Sequence, residues 1–206
     1  MASSTADRPV FVLTGTSGEG KSTLATLLVE RVPKLELAIS ATTRPMRPGE
    51  RDGRDYWFLT EDEFDRRLAA GDFLEWVELP WGEWYRSGTL WSELERITGE
   101  GRSPVLEIET GGALAVRDRV PAAVTIFVTA PSRQERERRL RLRATESEGE
   151  IDERLDIAER QLALASEFHH TIVNDDRERA VAELEEIVRR ALDGAGTMRA
   201  HDSSPR

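Results

Sequence analysis

Eight consecutive residues, Gly15-Thr16-Ser17-Gly18-Glu19-Gly20-Lys21-Ser22, set two glycines, a lysine and a hydroxyl in the spacing Gly, four residues, Gly-Lys-Ser, which is a phosphate-binding pattern. Glycine lets the backbone turn tightly and bring its N–H groups against phosphate oxygens, where a β-carbon would block both the dihedrals and the approach. Lys21 adds a mobile charge suited to β- and γ-phosphates, and the hydroxyl of Ser22, followed by that of Thr23, suits a Mg²⁺ ion carried by the nucleotide. The flanks agree with this chemistry. Val10-Phe11-Val12-Leu13-Thr14 reads as a buried parallel strand, and Leu24, Leu27 and Leu28 continue at helical spacing. A strand, a glycine loop and a helix N-terminus make an anion site, so Gly15 to Thr23 is expected to hold the phosphates of a nucleotide.

A second constellation lies downstream. Ser40-Ala41-Thr42-Thr43-Arg44-Pro45-Met46-Arg47-Pro48-Gly49-Glu50 sets two arginines three residues apart in a segment that Pro45 and Pro48 keep from being helical. Both guanidiniums can converge on one anion, and their planar forks suit bidentate binding of a monoester phosphate. Tyr56 follows in a strand-like run and can bring its hydroxyl to the same phosphate. Glu75 sits between Leu74 and Trp76; strand alternation puts it on the opposite face from both, which is either a solvent face or a pocket. In a pocket, its two acceptor oxygens match the adjacent N1–H and amino donors of guanine. A third stretch, from about Gln134 to Arg154, carries Arg136, Arg138, Arg139, Arg141, Arg143 and Arg154. Most residues of such a charged helix are expected to face water, with a subset free to close over phosphates.

The elements that must position these residues alternate. The pattern predicts strands near 10–14, 105–108, 123–129 and 171–173, with helices to about 31, from about 113, from Ser132, from Ile151, and a last amphipathic helix carrying Val181, Leu184, Ile187, Val188 and Leu192. That rhythm means an α/β chain on a parallel sheet. The stretch from about 35 to 91 breaks it with short strand-like pieces and one helix from Glu61 to Ala70, and reads as an inserted substrate-binding subdomain. Residues 1–8 and 194–206 have the composition of loose tails. With 206 residues and a formal net charge of -10, the chain suits one domain rather than a nonspecific nucleic-acid binder. It has no cysteine, which rules out disulfides and thiolate metal sites. No apolar run approaches membrane-spanning length, and a cytoplasmic protein is expected.

These residues together resemble the guanylate kinase family, from about residue 9 to 192. The likeness is carried by Gly15 to Thr23, the run Ser40 to Phe58, Phe73-Leu74-Glu75-Trp76, Leu106-Glu107-Ile108-Glu109, Arg143-Ala144-Thr145 and Val173-Asn174-Asp175-Asp176. The resemblance implies transfer of a phosphoryl group from ATP, with Mg²⁺, to GMP or dGMP. The architecture it implies is a P-loop NTPase fold, three layers about a parallel sheet, with a GMP-binding insertion at about 35–91 and an arginine-rich lid at about 134–157. By position, Ser40, Arg44, Arg47 and Tyr56 match the family's GMP-phosphate ligands, Glu75 its guanine reader, and Tyr85 a further phosphate-binding tyrosine. Arg139, Arg143 and Arg154 match the lid arginines that neutralise the transferring group, and Asn174 a contact on the adenine side. Lys21, Arg44 and the lid arginines would be the catalytic set.

The chain departs from the family at several places. Tyr85-Arg86-Ser87-Gly88-Thr89 carries two residues more than the usual Tyr-Gly-Thr, leaving Ser87 and Thr89 both as candidates for the base. Glu109 stands where Asp is common, Gly111 replaces a Gln, and Ala144 replaces the lid Gly. A kinase for a modified guanine nucleotide, or a non-catalytic interaction module of the same fold, are the alternatives. The second would normally lack the loop's glycines and lysine. Oligomeric state is not legible.

Overall fold

The computed structural model of the chain describes residues 8–79, 84–142 and 148–202, the side chains of 148–154 and 195–202 excepted. Its core is a five-stranded sheet. The strands are β1 (Val10–Gly15), β2 (Leu35–Leu37), β7 (Ser103–Glu107), β8 (Ala123–Thr129) and β9 (His170–Val173), in the order β2-β7-β1-β8-β9. Every pairing in it is parallel, with Phe11 opposite Val105 on one side of β1 and Val124 on the other. β1 is therefore central, and all six of its residues are buried.

Alternation along β1 divides the interior into two layers. Phe11 and Leu13 pack with Leu24 and Leu28 of α1 (Lys21–Arg31) and with Val181, Leu184 and Val188 of α7 (Arg177–Asp202). Val10 and Val12 face the other way, toward Leu94 of α3 (Trp91–Gly99), Ala113 and Val116 of α4 (Thr110–Arg119), and Phe127 and Phe168. The expected three-layer arrangement, helices on both faces of a parallel sheet, is what these contacts build. The arginine-rich stretch holds α5 (Arg133–Leu142) and α6 (Glu148–Leu162), where Leu140 and Leu155 form a small cluster of their own.

The insertion is a second sheet of order β4-β3-β6-β5, formed by β3 (Ala41–Thr42), β4 (Trp57–Phe58), β5 (Phe73–Leu79) and β6 (Tyr85–Leu90). α2 (Glu61–Ala70) lies on it, stacking Phe64 on Phe73 with ring centroids 4.4 Å apart. The helix is bounded as its sequence dictates: Thr60 Oγ1 accepts from the Glu63 N–H at 3.2 Å, and Gly71 ends it at φ 77°. Between Phe73 and Glu75 the pairing of β5 with β6 shifts register, a bulge that re-aims Glu75.

Two expected boundaries move. The insertion starts after β2, not at 35, because Leu35, Glu36 and Leu37 pair with Ser103, Pro104 and Val105 of the core sheet. The last helix runs to Asp202, past the point where composition suggested a tail. Gly194 and Gly196 each cost such a helix about 1 kcal/mol relative to Ala, but Pro205 is the first proline after them, and Ala195, Met198 and Ala200 favour continuation.

Candidate active site

The glycine loop joins β1 to α1 as its residues require. Gly15, Gly18 and Gly20 have φ of 140°, 89° and 81°, and a β-carbon on Gly15 would stand 2.1 Å from the Val128 carbonyl oxygen, so only glycine fits there. Gly20 is also the N-cap of α1, with no side-chain cap, which leaves the first N–H groups of the helix directed to an anion. Lys21 Nζ donates to the carbonyl oxygens of Gly15 at 2.7 Å and Thr16 at 2.9 Å, holding its ammonium over the loop. Ser22 Oγ donates to Glu107 Oε1 at 2.6 Å.

Across from the loop the insertion supplies the other wall of a cleft of about 240 Å³, lined by Ser17 to Ser22 on one side and by Ser40, Arg44, Tyr56, Glu75, Tyr85 and Ser87 on the other, with Glu107 and Glu109 at its floor. Arg44 is clamped by both oxygens of Glu50, at 2.8 and 3.0 Å, and its guanidinium carbon lies 5.1 Å from the Tyr56 ring centre. The hydrogen bonds to Glu50 push the guanidinium pKa up and fix its direction. Tyr56 and Tyr85 are both held above the ordinary phenol pKa, chiefly by burial, so each is a neutral hydroxyl donor at the cleft.

Glu75 is the most unusual group in the site. It is only 2 % exposed, and burial, with the charge of Glu109 in the same direction, raises its pKa to about 7. Thr89 Oγ1 donates to Glu75 Oε1 at 2.8 Å. The other oxygen is packed against α4, where a β-carbon on Gly112 would lie 2.2 Å from it; glycine at 112 is what admits the carboxylate. A buried acceptor of this kind is built for a donor.

The comparisons with known proteins agree with this geometry. The family model for guanylate kinase matches residues 7–191. The chain belongs to the guanylate kinase family. A guanylate kinase of Rubrobacter xylanophilus is 48% identical over 185 residues, which cover 90% of this chain and 95% of the relative. That of Symbiobacterium thermophilum is 42% identical over 179 residues, 87% of this chain and 83% of the relative. Among solved structures, guanylate kinase from Anaplasma phagocytophilum superposes with a TM-score of 0.72 at 28% identity, covering 90% of this chain and 86% of that one.

Within this guanylate kinase fold the residues singled out from sequence divide into several groups. Ser17 to Ser22, Ser40, Arg44, Tyr56, Glu75, Tyr85, Ser87 and Glu109 line one cleft. Ser87 faces it directly, whereas Thr89, 1 % exposed, serves Glu75 instead. Arg47 is exposed outside the cleft lining, and its backbone N–H donates to Glu50 at 2.8 Å. Asn174 is buried behind the loop, its side-chain amide donating to the Glu19 carbonyl at 2.7 Å, so it braces the loop's backbone. Arg139 lies beside it, donating to Glu135 and to the Asn174 carbonyl, both at 2.8 Å. Arg143 lies outside the described residues, as does Ala144, and the Arg154 side chain is likewise outside them.

Thr16 and Glu19 meet behind the loop. The Thr16 hydroxyl and Arg136 Nε, the latter at 2.6 Å, both donate to Glu19 Oε1, so the Glu19 side chain points away from the cleft into the base of α5. Two positions beside the loop were not singled out from the sequence. One is Arg136, grouped there with solvated arginines but 2 % exposed. The other is Glu107, whose signal was present: an acidic residue at the C-terminal end of a buried strand beside the glycine-loop strand is where such folds place a metal-directing carboxylate.

Proposed function

We propose that this protein transfers the γ-phosphoryl group of ATP to GMP, releasing ADP and GDP. One observation carries the reading: the buried acceptor Glu75 shares a cleft with a phosphate-binding loop, and guanine is the base that presents adjacent N1–H and amino donors to such a carboxylate. The ATP phosphates lie in the amides of Gly18, Glu19, Gly20 and Lys21. The GMP phosphate is met by Arg44, with the hydroxyls of Ser40, Tyr56 and Tyr85 around it and Arg47 at the outer edge. A phosphate oxygen of GMP then attacks the γ-phosphorus in line, and the β–γ bridging oxygen leaves with ADP. Phosphoryl transfer of this type is accelerated mainly by positioning and charge neutralisation, the tasks of Lys21, Arg44 and the lid arginines Arg139, Arg143 and Arg154.

The residues at the loop's mouth fit Mg²⁺. The Ser22 hydroxyl and the Glu107 carboxylate, 2.6 Å apart, are hard oxygen donors, and Mg²⁺ is commonly held by one or two such groups together with substrate phosphates. When bound, Mg²⁺ neutralises developing phosphate charge. Ser22 and Glu107 would hold it, and Thr23 follows on the same helix.

A coupled ADP-release assay over GMP, dGMP, AMP, CMP and UMP tests the reading. GMP or dGMP is expected to be the best acceptor. Comparable rates for AMP, or no turnover with either guanine nucleotide, would overturn it.

A further inference from the structure

Glu19 puts a carboxylate into a loop whose task is to attract phosphate, and the side chain is completely buried. A lone anion there would oppose the loop's own function and would be costly to desolvate. The structure answers it with Arg136, from the first turns of α5, whose Nε donates to Glu19 Oε1 at 2.6 Å and whose side chain is 3 % exposed. The other charged groups nearby do not substitute for it. Glu159 is 3.9 Å from Arg136 and is itself acidic. Arg139 is turned to Glu135 and the Asn174 carbonyl, and Lys21 to the loop carbonyls.

The hydrogen bonding of the pair is one-sided. Oε1 accepts from both Thr16 and Arg136, whereas Oε2 is buried and has no hydrogen-bond partner among the described residues. Converting Oε2 to an amide therefore breaks none of the hydrogen bonds described there. Glu19→Gln is close to a pure deletion of charge behind the loop.

We infer that Arg136 is the counter-charge of a carboxylate built into the phosphate loop, and that the Glu19–Arg136 pair sets the ATP affinity of the loop through its net charge. The inference rests on the proposed function only in taking the loop as the ATP site. Because both side chains are buried and bonded to each other rather than open to solvent, both members are positioning residues acting through the loop's field and shape. In a low-dielectric interior, removing one partner leaves the other's charge acting on the phosphates.

This makes the two single substitutions opposite in sign. Glu19→Gln leaves Arg136 answered only by the half-exposed Glu159 at 3.9 Å and is expected to tighten binding of a non-hydrolysable ATP analogue with Mg²⁺ by roughly two- to fivefold, while Arg136→Met leaves the fully buried Glu19 unopposed and weakens it by about tenfold or more. The double variant Glu19→Gln, Arg136→Met is expected to return to within about threefold of the parent. GMP binding, read separately by calorimetry, should change by less than about twofold throughout, because the base and its phosphate contact the other wall of the cleft.

A purely structural role for the pair would weaken analogue binding in both single variants together with thermal stability, and that result overturns the inference. Should Arg136→Met not fold, Glu19→Gln alone decides: tighter analogue binding supports the inference, and unchanged or weaker binding refutes it. Since analogue binding is measured without GMP turnover, a wrong acceptor assignment would appear in the ADP-release assay and leave this result unaffected.

Discussion

Replacing Glu75 by Gln is expected to make the free protein more stable above neutral pH and less able to use GMP. The carboxyl group titrates at about 7 in the folded chain against an ordinary value of 4.5, with burial as the main cause, the charge of Glu109 adding to it, and Thr89 and Arg119 opposing it. A raised pKa means that the folded state holds the proton more tightly than the unfolded state. Stability is thus greatest below about pH 4.5 as far as this group is concerned, falls as pH rises toward 7, and levels off above, the loss amounting to about 3 kcal/mol. Gln cannot ionise and does not incur it. It keeps one carbonyl oxygen for the Thr89 hydroxyl at 2.8 Å, at a cost of about 1 kcal/mol where the second oxygen's acceptor role is lost.

Urea unfolding without nucleotide should therefore show the variant more stable by roughly 2 to 3 kcal/mol near pH 8.5, with the advantage gone or reversed near pH 5. The same substitution removes the anion that accepts from guanine, so kcat/KM for GMP should fall by an amount equivalent to about 1.5 to 3 kcal/mol, with AMP losing much less. A stability difference that stays constant between the two pH values would show that Glu75 does not titrate as its burial requires. An unchanged GMP-to-AMP ratio would mean that the base is read elsewhere, with Glu109 and Ser87 next.

Three further outcomes follow from the geometry. Lys21→Ala should fold and lose turnover equivalent to about 3 kcal/mol or more in the barrier; steady-state rates beside a thermal melt check this, and near-normal turnover would remove Lys21 from catalysis. Gly112→Ala puts a methyl group 2.2 Å from the Glu75 carboxylate, so KM for GMP should rise at least severalfold, by roughly 1 kcal/mol or more, while KM for ATP stays put; equal changes in both would point to general disruption of α4. Arg139 is held by Glu135 and the Asn174 carbonyl and must leave them to meet a transferring phosphate, so small-angle scattering should show compaction with a two-substrate analogue and little with either nucleotide alone; identical profiles in all states would refute substrate-driven closure.

Local signals carried most of the fold. Val10 to Thr14 and Ala123 to Thr129 are short apolar runs that only a sheet buried on both faces accepts, and both are strands at those positions. Leu35 to Leu37 defeated the same logic because three residues hold too little periodicity to choose between two sheets; its partner Ser103 to Val105 lies far along the chain. In the site, the glycine loop and Arg44 were legible because their chemistry is written in contiguous residues. Arg136 was not, since what buries it is Glu19, more than a hundred positions earlier, and composition marks an arginine on such a helix as solvated. Ser87 and Thr89 were separable only once β6 was paired with β5, which sets Thr89 opposite Glu75 and Ser87 opposite Val77.

The placement of β1 has a consequence for how the protein is made. Its six residues, buried on both faces in the finished molecule, leave the ribosome well before their nearest partner strand, which begins at Ser103 and is synthesised about ninety residues later. At roughly 5 to 20 residues per second that interval is on the order of 5 to 20 s. The β5–β6 hairpin pairs residues close in sequence and has no comparable delay. Nascent chains are thus expected to mature from the middle outward, with the nucleotide loop assembled last and the apolar strand that carries it the segment most in need of a chaperone's cover.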